Sequence, residues 1–263
     1  MAIACPVDLD TQVLRSEVSK VYSRVANDPN GDFHFHRGPA YAAQFLGYDP
    51  VELAALPPEC TASFAGIANP HAIAPILPGE TVLDIGCGAG NFTLRVLQDV
   101  SPLHCHLVDL SQSMLTRAEE RIRKMGIASV HTYQSDFRAS SFGESSFDCI
   151  LAGAVLHHLR DDEDWKFAFK RFHTWLKPGG RIYVSDLAYF EVSDAQNVMW
   201  KRYGEYLESL GGKEYRSKVF AYIDKEDSPR SLPFQLDLLK STGFSNYDVL
   251  HRNSVFACYF GVK

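Results

Sequence analysis

The chain has 263 residues, of which 46% are hydrophobic, and this is enough to bury one large core or a core with a small appendage. Its formal net charge of −6 argues against a protein that grips nucleic-acid phosphates over a wide surface. Because no segment approaches the roughly 18 apolar residues of a membrane-spanning helix, and the six cysteines are scattered without a C-x-x-C pair, we expect a reduced cytoplasmic protein without a membrane partner.

Residues 1–75 are predicted to form a helical extension. An amphipathic helix near its start carries one apolar stripe, which comprises Leu14, Val18, Val21 and Val25. In the polar and aromatic stretch that follows, His34 and His36 alternate and would share one face of an extended chain, which suits a metal ion or an acidic substrate. No third ligand can be identified, so we predict no metal. The favoured interpretation is that both histidines face solvent or pack in a lid, and with Tyr41 they are candidate substrate contacts.

The most informative segment is residues 82–90, Val-Leu-Asp-Ile-Gly-Cys-Gly-Ala-Gly, in which an apolar strand runs into three alternating glycines. Glycine lets the backbone turn sharply and approach a ligand, and amide groups at the start of the following helix favour a polar or anionic group. The pattern therefore predicts a pocket for a nucleotide-type cofactor. In the dinucleotide motif G-x-G-x-x-G, the third glycine would fall at Asn91 or Thr93, so this spacing argues against a dinucleotide enzyme.

Acidic residues end the next two predicted strands. The strand at residues 104–109 ends in Asp109, which lies 19 residues beyond Gly90, about where a ribose-binding carboxylate belongs in a βαβ unit. A third strand near residues 130–134 is followed by Asp136. Aspartate at the end of a strand also commonly caps a turn or the next helix, so each acid alone is a weak indication of a ligand site.

The alternation of strands and helices continues to residue 186 and predicts a parallel sheet with helices on both faces. A fourth strand is predicted at residues 147–152, and a fifth at residues 181–186 after the turn Leu-Lys-Pro-Gly-Gly. After an insertion with two amphipathic helices, the pattern resumes with a helix from Leu232. Two final strands, at residues 246–250 and 255–261, are joined by a short turn, so they form a hairpin and must be antiparallel.

Four segments are predicted: a helical extension or lid at 1–75, a cofactor-binding core at 76–186, a helical lid insertion at 187–231, and a completion of the core at 232–263. Ligands of open α/β sheets bind at the carboxyl ends of the strands, and both lid segments connect to that edge or can fold over it. Tyr189 and Tyr203 are candidate substrate contacts in the insertion, although helix-spaced aromatic residues belong more often to the core.

Taken in order, these segments resemble the class I methyltransferases that use S-adenosyl-L-methionine: an acid before G-x-G-x-G, acids after strands two and three, and Leu-Lys-Pro-Gly-Gly before strand five. The resemblance implies a Rossmann-like α/β fold, a mostly parallel seven-stranded sheet with an antiparallel last strand, and S-adenosyl-L-methionine as the cofactor. It also implies that Asp136 binds the adenine amino group and that the neighbouring residue flanks the ring. The expected cofactor site comprises Asp84, Gly86, Cys87, Gly88, Gly90, Asp109, Leu110, Met114, Ser135, Asp136, Phe137 and Ala152.

Residues 40–90 also resemble bacterial arsenite methyltransferases, which bind arsenic(III) through cysteine thiolates because a soft ion prefers soft ligands. Two of the cysteines expected from this resemblance fall at Ile67 and Ala154, and a histidine-containing stretch replaces the upstream cysteine cluster. Cys60 and Cys149 do not lie at the matching places. Arsenic is therefore not the expected substrate.

From residue 148 onward, the chain resembles a broad group of small class I methyltransferases that includes enzymes modifying the tRNA wobble uridine. A tRNA substrate requires a basic face, which the net charge does not favour. We therefore predict an enzyme that transfers a methyl group to a small-molecule acceptor, as a monomer or homodimer without a nucleic-acid partner. Two alternatives stay open: tRNA modification by the same fold, and a protein that binds the cofactor without turnover or uses a modified form of it.

Methyl transfer is an in-line displacement, so the enzyme mainly supplies alignment and dry surroundings. A base is needed only when the acceptor carries a proton at the working pH. His157 is the first candidate for this base and a candidate substrate contact, because the end of strand four lies beside the reacting methyl in this fold. The alternative is that His157 or His158 donates a hydrogen bond to a backbone carbonyl and holds the loop.

Overall fold

The computed structural model describes residues 37–46, 48–62, 75–125 and 129–263, together with scattered positions between 16 and 33. The chain divides into two compact units, Met1–Pro75 and Ile76–Lys263, and each is described by itself. No helix in the described ranges combines the length and the apolar character needed to cross a membrane.

The described part of the N-terminal unit contains three short helices: α1 at Gly38–Leu46, α2 at Pro50–Ala55 and α3 at Pro58–Ala62. Proline suits the first position of α2 because the N–H that it lacks would have no partner inside the helix. The Asp49 side chain caps α2 by accepting a hydrogen bond from the Val51 N–H at 2.7 Å. Ala42 of α1 and Leu53 of α2 are buried, so these helices share a small apolar core.

Part of the sequence prediction for this unit falls outside the described residues. This is the case for His34 and His36, and for Leu14 and Val18 of the predicted apolar stripe. Val25, the last member of the stripe, is buried. The interpretation of the two histidines as lid or substrate contacts therefore stays a prediction.

A seven-stranded sheet organises the C-terminal unit. Its strands are β1 at Thr81–Ile85, β2 at His104–Asp109, β3 at Ser129–Gln134, β4 at Phe147–Gly153, β5 at Leu176–Leu187, β6 at Asn246–Asn253 and β7 at Phe256–Val262. The strand order is β3-β2-β1-β4-β5-β7-β6. The first five strands are parallel, and β7 runs antiparallel to both of its neighbours, β5 and β6. The predicted fold class is thereby confirmed.

Five helices accompany the sheet: α4 at Asn91–Asp99, α5 at Gln112–Arg123, α6 at Asp162–Trp175, α7 at Ser193–Glu226 and α8 at Leu232–Thr242, with a 3₁₀ turn at Leu156–His158. The side chains of Ser111, Asp161 and Ser231 cap the starts of α5, α6 and α8 by accepting backbone N–H groups. Gly243 ends α8 in the left-handed conformation, with φ of 104°.

Buried side chains fill a core on each face of the sheet, because successive strand residues point to opposite faces and both faces are covered. In β4, Ile150 and Ala152 belong to one core, whereas Cys149 and Leu151 belong to the other. Helices α6 and α8 supply large side chains to the first core: Trp165, Phe169, Phe172, Leu238 and Leu239. Helices α4 and α5 supply smaller ones to the second: Leu97, Leu115, Ala118 and Ile122.

One element differs from the sequence prediction. The predicted turn before the fifth strand belongs to β5 itself, which begins at Leu176 and contains Gly179 at φ of 76°. The two amphipathic helices predicted for the insertion are both present in α7, where a break at Gly211 and Gly212, at which the backbone leaves helical geometry, separates them.

Candidate functional site

The glycine loop, residues 86–90, connects β1 to α4 at the carboxyl edge of the sheet. Gly86, Gly88 and Gly90 have φ of 62°, 51° and 76°, in the left-handed region that favours glycine. The Cys87 N–H donates a hydrogen bond to Val108 O at 3.0 Å, which fixes the loop against β2. The loop backbone is therefore held beside the end of β2, where the sequence places an acid.

Asp109, at the end of β2, holds two turns with one carboxylate. Its Oδ2 accepts a hydrogen bond from the Gly88 N–H at 2.8 Å, and its Oδ1 accepts one from the Ser111 N–H at 2.8 Å. Each carboxylate oxygen can accept about two hydrogen bonds, so both oxygens keep capacity for a ligand. Asp109 can therefore bind two neighbouring hydroxyl groups while it orders the glycine loop.

A second acid, Asp84 of β1, is almost completely buried beneath the glycine loop, with 1% of its surface exposed. Its Oδ2 accepts a hydrogen bond from the Thr93 hydroxyl at 2.6 Å. Burial raises the pKa of Asp84 to about 7; the hydrogen bonds from Thr93 lower it, and the charge of Asp109 adds a smaller increase. A cation bound near Asp84 would favour its ionised form.

Two cavities that share Gly86 and Ala154 open along the carboxyl edge of the sheet. The first, of about 250 Å³, is lined by Gly86, Val108, Asp109, Leu110, Ser135, Asp136, Phe137, Arg138, Ala154, Val155, His158 and Leu159. The second, of about 450 Å³, is lined by Asp84, Gly86, Cys87, Gly88, Ala89, Asn91, Phe92, Arg95, Gly153, Ala154 and Ser185. Together they fall within the range of about 300–1,000 Å³ that is usual for small-molecule sites.

Nine of the twelve residues predicted for the cofactor site line one of these cavities. The other three do not, for different reasons. Ala152 is fully buried inside the sheet, and the side chain of Met114 is exposed on α5. At Gly90 an added Cβ would lie 3.1 Å from Ala118 Cβ and from Ile122 Cδ1, so this glycine permits close packing of the loop on α5.

Asp136, predicted from the family resemblance to bind an adenine amino group, already has a partner. The Arg138 guanidinium donates to both carboxylate oxygens, with Nη2 2.6 Å from Oδ2 and Nε 3.1 Å from Oδ1. The hydrogen bond from Arg138 is the largest reason that the pKa of Asp136 lies below its ordinary value. Asp136 is therefore an anion, and a ligand amino group there would share the carboxylate with Arg138.

Asp186, near the end of β5, organises the turn that follows β4, residues 154–159. Its Oδ2 accepts hydrogen bonds from the N–H groups of Val155 at 2.9 Å and Leu156 at 2.7 Å. Its Oδ1 lies 2.5 Å from His157 Nδ1 and accepts the Leu187 N–H at 2.7 Å. Only 1% of the Asp186 surface is exposed, so this carboxylate fixes the turn from inside the protein.

The two adjacent histidines of this turn have different surroundings. His157 is buried against Asp186 and does not line either cavity, whereas His158 is half-exposed and lines the first one. Burial acts to lower the pKa of His157, but the hydrogen bond and charge of Asp186 outweigh it and raise the pKa above its ordinary value. Burial, followed by the charge of His157, lowers the pKa of His158. The structure therefore offers His158, not the predicted His157, to a ligand in the first cavity.

The tyrosines predicted to contact substrate do not line the two cavities. Tyr203 packs its ring against those of Trp200, Phe220 and Phe256, with 5.4 Å between the Tyr203 and Phe256 centroids. Tyr189 is partly exposed beside Ser231, with which it forms an isolated β-bridge. Tyr41 lies in α1 of the N-terminal unit, where its ring is 5.8 Å from that of Phe45. Tyr203 is therefore a packing residue of α7, as the alternative interpretation of helix-spaced aromatics holds.

The sequence prediction did not name several lining residues: Asn91, Phe92, Arg95, Arg138, Gly153, Ala154, Val155, His158, Leu159 and Ser185. Half of them belong to residues 153–159, immediately after β4. Because ligands of open α/β sheets bind beyond the carboxyl ends of the strands, the position of this segment in the chain was a signal for its role.

Gly86 and Gly88 form a matched pair for testing the glycine loop. A Cβ at Gly86 would clash with the Val155 side chain, 2.8 Å from Val155 Cβ, whereas a Cβ at Gly88 would have no heavy atom within 4 Å. Both substitutions incur the left-handed backbone cost of about 1–2 kcal/mol. We expect Gly86→Ala to lower the free energy of unfolding by about 1–3 kcal/mol more than Gly88→Ala. Urea unfolding of both variants measures this difference, and equal losses would contradict the contact with Val155.

Part of the chain is similar to known methyltransferases. Residues 82–180 match a family model described as a methyltransferase domain. The chain is 29% identical over 149 residues to an arsenite methyltransferase of Halobacterium salinarum, covering 56% of this chain and 37% of that protein. It is 28% identical over 191 residues to the ubiquinone/menaquinone biosynthesis C-methyltransferase UbiE of Klebsiella pneumoniae, covering 70% of this chain and 74% of that protein. Some curated relatives are matched over only about a third of their length.

A solved structure shares the fold. A SAM-dependent methyltransferase from Methanosarcina mazei superposes with a TM-score of 0.50 at 18% sequence identity, covering 72% of this chain and 94% of that one. This likeness concerns the arrangement of the sheet and its helices.

Proposed function

We propose, from the premise that the chain is a class I S-adenosylmethionine-dependent methyltransferase, that it transfers a methyl group to a small-molecule acceptor. The observation that carries the proposal is the pair of adjacent cavities that share Gly86 and Ala154. Asp109 lines the first cavity and accepts a hydrogen bond at 2.8 Å from the N–H of Gly88, which lines the second. Acids, glycine amides and apolar walls in this arrangement suit a ligand with a sugar, an aromatic base and a cationic tail.

The chemistry of the two cavities suggests how S-adenosyl-L-methionine would be held. In the first cavity, Asp109 would accept the ribose hydroxyls, Leu110 and Phe137 would face the adenine ring, and Asp136 would accept its amino group. The second cavity contains Asp84 and the amides of the glycine loop, which suit the ammonium and carboxylate of the amino-acid end. When bound, the cofactor supplies a methyl group that its positive sulfur makes susceptible to nucleophilic attack.

His158 is the residue that we propose for proton removal from an acceptor. Its lowered pKa leaves the imidazole neutral near pH 7, so a ring nitrogen can accept a proton. Its position on the wall of the first cavity brings it to the ligand, whereas His157 is held behind the turn by Asp186. His157 and Asp186 would therefore position the turn, and His158 would contact the acceptor.

An arsenic substrate is not favoured by the cysteines of the described ranges. Cys87, Cys105 and Cys149 are buried free thiols, and burial is the main reason that their pKa values lie far above the ordinary value, with that of Cys105 at about 12. Cys258 is partly buried, and burial raises its pKa as well. Arsenic(III) requires thiolates, which these residues do not supply near neutral pH. Reduced, buried thiols fit the cytoplasmic location that we propose.

Binding of S-adenosyl-L-methionine and S-adenosyl-L-homocysteine, measured by titration calorimetry on the full chain, tests the proposal. We expect both to bind, and Asp109→Ala to weaken each by about 10- to 150-fold, because a hydrogen bond to a charged group contributes about 1.5–3 kcal/mol. Asp237→Ala is the control, since Asp237 is an exposed acid of α8. A folded wild-type sample that binds neither ligand would overturn the methyltransferase proposal.

Turnover distinguishes an enzyme from a protein that only binds the cofactor. Small thiols, phenols and amines should be screened as acceptors before tRNA, with formation of S-adenosyl-L-homocysteine as the readout. Methylation of a small acceptor supports the proposal. Binding without turnover on any acceptor would favour the alternative of a cofactor-binding protein.

A further inference from the structure

Three segments of the C-terminal unit meet in a cluster, one residue of which, His158, also belongs to the proposed methyl-transfer site. They are the 3₁₀ turn after β4, the end of β5, and the end of α7. The Ser228 N–H donates a hydrogen bond to His157 O at 2.7 Å, and Arg160 Nη1 donates to Glu226 O at 2.7 Å, so the end of α7 is fixed against the turn. These backbone contacts bring the side chains of His157, His158 and Asp227 together.

The ligand atoms of these three side chains lie within 4.8 Å of one another, and among the described residues this is the one such group of three. His158 Nδ1 is 3.1 Å from Asp227 Oδ1, and His157 Nε2 is 3.9 Å from Asp227 Oδ2. Ligands of a tetrahedral Zn²⁺ ion with bonds of about 2.0–2.1 Å are about 3.4 Å apart. The 3.1 Å separation is near this value, the 3.9 Å separation involves the other carboxylate oxygen, and His158 is half-exposed and can adjust.

Asp227 provides independent support for a ligand in the cluster. Its side chain is 3% exposed, yet its Oδ1 has no hydrogen-bond partner among the described residues. His158 Nδ1 is close to this oxygen but does not have hydrogen-bond geometry toward it. A buried carboxylate oxygen without a partner is energetically unfavourable. A cation placed between His158 Nδ1 and Asp227 Oδ1 would instead bind both atoms through their lone pairs.

His157 has the surroundings of a metal-binding histidine. Its Nδ1 is bonded to the Asp186 carboxylate at 2.5 Å, which leaves Nε2 free on the side of Asp227. Histidines that bind metals commonly use this arrangement, because the carboxylate fixes the ring and increases the basicity of the other nitrogen. Asp186 and Asp227 also place two carboxylates in one buried region, and a divalent ion would balance both charges while the histidines stay neutral.

We propose that His157 Nε2, His158 Nδ1 and an Asp227 carboxylate oxygen form a site for a divalent transition-metal ion such as Zn²⁺. Two imidazoles and one carboxylate make a three-ligand set that leaves a coordination position open, as in metal sites that bind an exchangeable oxygen ligand. Because His158 also lines the first cavity, the ion lies at the edge of that cavity. Metal binding at this site does not depend on the proposed methyl transfer, but His158 cannot hold the ion through Nδ1 and also accept a proton, so in the metal-bound protein it is not the base.

The test uses the full chain, without an affinity tag, after treatment with a chelator. Co²⁺ is titrated and its visible d–d absorption is recorded, and Zn²⁺ is then added as a competitor. We expect one Co²⁺ ion to bind per chain and to give the visible absorption of a site of low coordination number. Zn²⁺ should displace Co²⁺ and abolish this absorption. A folded protein that binds no Co²⁺ would overturn the proposal and leave a protonated His157 between two carboxylates.

Two variants identify the ligands. Removing a residue that only orients a metal ligand weakens metal binding by about 10- to 100-fold. Removing a metal ligand itself should weaken binding at least as much. We expect this for Asp227→Asn and for His158→Gln, whose side chain is half-exposed and can be replaced without disturbing the core. Asp224→Asn is the matched control, because Asp224 is an exposed acid three residues earlier in α7. Equal Co²⁺ affinity in Asp227→Asn and Asp224→Asn would contradict the assignment.

Discussion

Replacing Asp186 with alanine is expected to lower the free energy of unfolding by about 3–5 kcal/mol, the range found when one partner of a buried charged pair is removed. Asp186 is 1% exposed and accepts hydrogen bonds from the N–H groups of Val155, Leu156 and Leu187, besides its contact with His157. Alanine leaves these donors buried without an acceptor, and a small side chain also opens a cavity.

A matched control for Asp186→Ala lies on β6. Asp248 also accepts the N–H of the residue that follows it, Val249, at 2.7 Å, but it is exposed. Asp248→Ala should change the free energy of unfolding by less than about 1 kcal/mol, because water can replace the lost acceptor. Urea unfolding, followed by circular dichroism, measures both variants. A loss below about 1 kcal/mol for Asp186→Ala would show that the turn after β4 does not depend on this carboxylate.

Much of the fold could be predicted from the sequence because its parallel strands are buried on both faces. Residues 104–109 form β2 with the bounds expected from the apolar pattern, and β4 differs from its prediction by one residue, Gly153. The two helices of α7 were also predicted, because the apolar pattern of each half is helical and Gly211 and Gly212 lie between them. That they are joined by a sharp break and not by a longer loop could not be predicted from that pattern.

The choice between His157 and His158 could not be made from local sequence. Both residues lie in a 3₁₀ turn, and the His157 ring is held by Asp186, which lies 29 residues further along the chain, whereas the His158 ring lies beside Asp227. The same limit applies to Tyr203, because a helix-spaced aromatic residue has the same pattern whether it lines a cavity or packs against Phe256. Residues with backbone roles, such as Gly86 and Gly88, are easier to predict because their function depends on the absence of a side chain.

Asp84→Asn is expected to stabilise the ligand-free protein above pH 7, in contrast to Asp186→Ala. The pKa of Asp84 is raised from 3.8 to about 7, chiefly by burial. Between pH 3.8 and about pH 7, Asp84 is ionised in the unfolded chain but still protonated in the folded protein. The stability that Asp84 contributes therefore falls as pH rises through this range. The hydrogen bond from Thr93 can be kept by the asparagine oxygen, which accepts it equally well.

The variant avoids the cost of ionising a buried carboxyl group, so its free energy of unfolding should exceed that of the wild type by up to about 4 kcal/mol at pH 8. Near pH 3 the two proteins should differ little, because Asp84 is then mostly protonated in both the folded and the unfolded state. Urea unfolding of both proteins at these two pH values measures the effect, and other titrating groups cancel in the comparison. A difference that does not change with pH would contradict the raised pKa.

The same substitution should weaken binding of S-adenosyl-L-methionine, because asparagine removes an anion from the wall of the cavity that we assign to the cationic end of the ligand. In the wild type, binding should release a proton near pH 7, since the cation favours ionised Asp84; calorimetry in buffers of different ionisation enthalpy detects this. Asp84→Asn should abolish the release. If Asp84→Asn gains stability and loses affinity for S-adenosyl-L-methionine, then Asp84 destabilises the ligand-free protein but contributes to ligand binding.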